Sequence, residues 1–143
     1  MEMARRCVPY TPVDRPLADL TLMLVSTAGV HLREQEPFAT GPLGDTTYRV
    51  IPGAVDSANL MITHAALAEH YDRSEAEQDI NVIFPIDRLR ELAAEGLIAG
   101  LAEKHLSLMG YAQKQRAIIE TTAPAVAAEV DRSQADAVLL TAG

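Results

Sequence analysis

Apolar and polar positions divide this chain into short blocks. Leu20–Val25 (Leu-Thr-Leu-Met-Leu-Val) is a compact apolar run closed by Ser26-Thr27-Ala28-Gly29, which has the length and boundaries of a buried parallel strand. Thr46–Ile51 is rich in β-branched residues and stops at Pro52-Gly53, predicting a second strand. Ala58–Thr63 predicts a third that leads into His64, and His105–Met109 a fourth closed by Gly110. The last apolar run predicts a strand over 136–141. Helical spacing is clearest over Ile86–Ala94, where Ile86, Leu89 and Leu92/Ala93 share a face, Pro85 suits the start and Gly96 the end. Ile98 and Leu101 suggest one further helical turn. A longer helix is predicted over 112–131, with Ile118, Ile119, Thr122, Val126 and Val130 on one stripe and a kink near 120–123 because Pro124 removes a backbone donor.

Between these blocks the chain is polar. Residues 1–17 hold Pro9, Pro12 and Pro16 and read as an extended arm. Residues 26–44, broken by Gly29, Pro37, Gly41, Pro42 and Gly44, read as a long loop at a strand's carboxyl end. Residues 65–80 are polar and acidic, with room for a short helical turn. Strands alternating with helices predict one α/β domain over 1–143: an open, mostly parallel sheet with flanking helices, incomplete at its C-terminal end.

Composition narrows the function classes. Apolar residues make up 48% and aromatic residues 4%, so the core is aliphatic. A net charge of −8, with no basic cluster beyond Arg5-Arg6, argues against nucleic acid and anionic membranes as partners. No apolar run is long enough to span a bilayer and no secretory signal opens the chain, which points to the cytoplasm. Cys7 is the only cysteine, so no disulfide framework or cysteine metal site forms within the chain.

No dinucleotide or P-loop glycine fingerprint and no Gly-x-Ser-x-Gly elbow is present, and no cofactor is expected. What remains is a set of polar residues at strand ends: His31, Asp45, His64, His70 with Tyr71 and Asp72, then Asp79 and Asn81. In an open α/β sheet, ligands bind at the carboxyl ends of strands. His31 or His64 suits acid/base or carboxylate-binding work there; Asp45, His70, Asp79 and Asn81 suit the binding of a small amine or amino-acid-like substrate, Asp45 that of its amine. The alternative is a non-catalytic binding or assembly module that takes a small amine, or a metal through His31, His64 and His70, although His-x5-His is not a recognised metal spacing. A racemase-like enzyme is a third reading, weakened by the missing cysteine after the last apolar strand.

Four segments in order carry a resemblance: Val25-Ser26-Thr27-Ala28-Gly29-Val30-His31-Leu32-Arg33, Gly44-Asp45-Thr46-Thr47-Tyr48-Arg49, Asp79-Ile80-Asn81-Val82-Ile83-Phe84-Pro85-Ile86-Asp87-Arg88-Leu89 and Ala137-Val138-Leu139-Leu140-Thr141-Ala142-Gly143. Together they resemble the selenoprotein B family, the substrate-handling subunits of the glycine, sarcosine, betaine and D-proline reductases. The resemblance implies reductive C–N bond cleavage, partner reductase subunits or self-association, and a selenocysteine or cysteine nucleophile directly after Gly143. On that reading the present sequence is truncated before its nucleophile, as when a selenocysteine codon is read as a stop, and is inactive alone. It departs from the family pattern over Thr63–Asp72, which is looser.

Overall fold

The computed structural model describes residues 11–64 and 73–142. Its centre is β1 (Thr21–Ser26), which is parallel to β7 (Ala137–Thr141) with Leu22 opposite Ala137 and Ser26 opposite Thr141. On its other side β1 meets β5 (Gly100–Leu101) and then β6 (Lys104–Leu108), both parallel, with Ser26 opposite Ser107. β3 (Tyr48–Pro52) closes the sheet antiparallel to β6. The sheet is thus mostly parallel and open, and the class is α/β as the patterning predicts.

Alternation along β1 divides the core, because successive strand side chains point to opposite faces. Leu24 joins Ile51, Phe84, Ile86 and Leu89 on one face, covered by α2 (Ile86–Ala94), which follows the short α1 (Ser74–Gln78). Met23 and Val25 join Leu106 on the other, packed by Val126 and Val130 of α4 (Ala123–Ser133). The predicted boundaries of α2 are met. Gly96, at φ +73°, supplies the left-handed residue that ends it.

Several expectations need correction. The loop over 26–44 contains a strand, β2 (Val30–Leu32), which pairs antiparallel with β4 (Leu60–Ile62) in a separate two-stranded sheet. His31 therefore lies within a strand, and the strand before His64 is not part of the main sheet. The breakers in 26–44 obscured a run only three residues long. Ile98 and Leu101 do not form a helical turn; Gly100–Leu101 is β5, held by the Ala99 and Ala102 amides on the carbonyls of Leu20 and Leu22. Ile119 leaves the predicted stripe and is 70% exposed. Between α3 (Gln115–Ala117) and α4 the helix widens into a π turn over Ile118–Thr122, which changes the angular step where Pro124 lacks a donor. The N-terminal arm is described only from residue 11, so Cys7 lies outside the described residues.

Candidate functional site at the carboxyl edge

Strand register sets a row of polar residues across the main sheet. Arg49 of β3 lies opposite Ser107 of β6, which lies opposite Ser26 of β1, which lies opposite Thr141 of β7. Ser26 and Ser107 are fully buried. The Ser26 hydroxyl donates to the Ile83 carbonyl at 3.0 Å, and the Thr141 hydroxyl donates to the same oxygen at 3.1 Å. The Thr27 amide donates to the Thr141 carbonyl at 3.1 Å. The end of β7 is thus fastened both to β1 and to the turn before α2. Ser26, Thr141 and the Ile83 carbonyl were not among the sequence candidates, because register is invisible in one strand's own pattern.

Asp79 and Asn81 sit in that turn, a 3-10 segment over Ile80–Val82. Asp79 Oδ1 accepts from the Asn81 amide at 3.0 Å and from its side-chain nitrogen at 2.8 Å. Those bonds hold the Asp79 carboxyl below the ordinary carboxylate range. Asn81 Oδ1 accepts the Asp87 amide at 2.9 Å, satisfying one of the open donors at the start of α2. Asp87 pairs with Arg90 at 2.7 Å, and Arg90 donates to the Gly53 carbonyl at 2.8 Å. Burial pushes the Asp87 carboxyl up, but bonds from Ser57, Asn81 and Arg90 outweigh it and hold it ionised. Beside this network is a cleft of ≈ 480 Å³ whose walls include Arg33, Leu60, Ile62, Glu77, Asp79 and Asn81.

The other candidates sit apart. His31 is buried; its Nδ1–H donates to the Leu32 carbonyl at 2.8 Å, and its Nε2 shares a hydrogen bond with the Thr63 hydroxyl at 2.8 Å. That bond links it to the residue before His64, which is half-buried at the exit of β4. Asp45 is buried in a different loop and accepts from the Ala39 amide at 2.7 Å, the Thr47 amide at 2.7 Å and the Thr47 hydroxyl. Burial raises its pKa, yet these donors and Arg49 together hold it below the ordinary value. No hydrogen bond joins Asp45 to His31, Asp79 or Asn81. His70 lies outside the described residues. Among the described residues no group of three or more His, Cys, Asp or Glu side chains is placed to hold a metal ion, and no helix is long and apolar enough to cross a membrane.

The sequence profile described as glycine/sarcosine/betaine reductase selenoprotein B matches residues 47–143. A protein named D-proline reductase subunit gamma, from Acetoanaerobium sticklandii, is 40% identical over 134 residues, covering 94% of this chain and 53% of that protein. The chain therefore spans about half the length of this curated relative. No solved structure matches it.

Proposed function

This chain belongs to the glycine/sarcosine/betaine reductase selenoprotein B family, and we propose that it handles the substrate in the reductive cleavage of a C–N bond of a small amino acid or betaine. In this proposal the nucleophile is a selenocysteine or cysteine encoded directly after Gly143. Its ionised selenol or thiol attacks the carbon bearing the nitrogen. The C–N bond breaks, the amine leaves with the bonding pair and takes up a proton, and a selenoether or thioether remains for reductant subunits to discharge. Cys7, the only cysteine in the sequence, has no part in this chemistry.

The observation that carries the reading is the anchoring of β7. Its parallel pairing with β1, and the Thr141 bond to the Ile83 carbonyl, hold the end of β7 at the carboxyl edge of the sheet. That is where open α/β folds place their ligands. His31 and His64 are proposed for acid/base work, and Asp45, His70, Asp79 and Asn81 for binding. The partners are other reductase subunits in the cytoplasm; Leu140, 74% exposed on β7, supports a covering chain there.

The test is the gene and its native product. A UGA codon after codon 143, followed by an open frame containing cysteine, is expected, together with a native mass above that of the 143 residues. An unrelated stop codon and a native product ending at Gly143 would remove the truncated-catalyst reading.

A further inference from the structure

The cleft beside Asp79 holds opposite charges that do not meet. Arg33 lines one part of its wall, and Asp79 and Glu77 line another. Among the described residues no ion pair joins Arg33 to either acid, and its guanidinium has no hydrogen-bond or ion-pair partner. Every other described arginine side chain is engaged, from Arg15 on Asp136 to Arg132 on Glu129. Asp79 uses Oδ1 for Asn81, which leaves Oδ2 without a donor among the described residues. Glu77 is held only loosely by Arg73, at 3.6 Å.

We propose that Arg33 and Asp79 form the charge frame of a site for a small dipolar amino carboxylate. The carboxylate faces Arg33, whose planar fork of donors suits it, and the cationic nitrogen faces Asp79 Oδ2. A simple anion is disfavoured by the two acids and a simple cation by the arginine, so only a ligand with both charges gains at both ends. Leu60, Ile62 and Ile80 supply apolar wall for a short aliphatic body. Asn81, also in the wall, is two residues from Ile83, whose carbonyl Ser26 and Thr141 both hold. This inference rests on the proposed function only in taking the ligand to be the substrate; Arg33 is the residue it adds.

Calorimetric titration of the complete gene product tests it, with glycine, sarcosine, betaine and D-proline as probes. The tightest binder is then compared with its nitrogen-free carboxylate counterpart. At least one dipolar probe is expected to bind, and its nitrogen-free counterpart at least tenfold more weakly. R33M and D79N are each expected to weaken binding at least tenfold, and R116M, outside the cleft, to leave it unchanged. Circular dichroism confirms folding, and R33M decides the question if D79N disturbs the turn. Wild-type affinity in R33M overturns the inference, as does the absence of binding by every probe. Turnover by the complete reductase then separates the two claims: with turnover present the proposed function stands without this site, and with it absent both fall.

Discussion

His105 shows how one side chain repairs a break in a sheet. The carbonyls of Leu20 and Leu22 point toward β5 and β6, and so does the Leu24 amide two residues on. At the interruption between β5 and β6 no carbonyl meets that amide; His105 Nδ1 accepts it instead, at 3.0 Å. The ring is fully buried, edge-on to Phe84 at 6.4 Å, and its Nε2 has no partner among the described residues. Burial, aided by the Arg90 charge, lowers its pKa from 6.5 to about 4. The unfolded chain therefore binds the extra proton first. The neutral ring's contribution is complete above pH 6.5 and is lost as pH falls from there toward 4. Urea unfolding across that window should show stability falling with acidity, with a shallower slope in His105→Gln. Equal slopes would contradict it. Gly29 is a second such position: at φ +69°, a Cβ there would lie 2.1 Å from the Thr63 carbonyl oxygen. Gly29→Ala is expected to cost about 1–3 kcal/mol in denaturant unfolding, and an unchanged midpoint would refute the close approach.

At the scale of elements, the Ile83 carbonyl is a shared fastening. It receives one hydroxyl from β1 and one from β7, so either hydroxyl alone keeps it satisfied. Thr141→Val is expected to cost about 1 kcal/mol, the usual net value of one hydrogen bond, and Ser26→Ala about 2 kcal/mol, because the Ser26 hydroxyl also accepts from the buried Ala28 amide at 3.2 Å. The double variant should cost more than the sum, because only then does the carbonyl lose both donors. A double-mutant cycle by chemical denaturation measures this, and strict additivity would show that the two bonds act independently. The same fastening explains why β7, an edge strand carrying the exposed Leu140, keeps its register with β1.

For the whole molecule, a net charge of −8 opposes compaction. Several ion pairs, such as Arg88–Glu91 and Arg116–Glu120, join exposed side chains and add little. Raising ionic strength from about 0.01 M to about 0.15 M shortens the screening length from about 30 Å to about 8 Å. Thermal unfolding should therefore move to higher temperature over that range; a lower Tm would mean that attraction outweighs self-repulsion.

The sequence by itself determined the elements whose signal is local and strong. β1 and α2 follow from an apolar run with breakers and from a 3.6-residue stripe, and the α/β class follows from their alternation. Only the tertiary structure decided which strands pair and in which direction. That choice made β3 antiparallel, set β2 and β4 apart, aligned Ser107, Ser26 and Thr141, and brought Arg33 to the cleft wall of Asp79. The physical reason is that pairing and register depend on contacts between residues distant in sequence, and a strand's own two-residue alternation is the same whichever neighbour it meets.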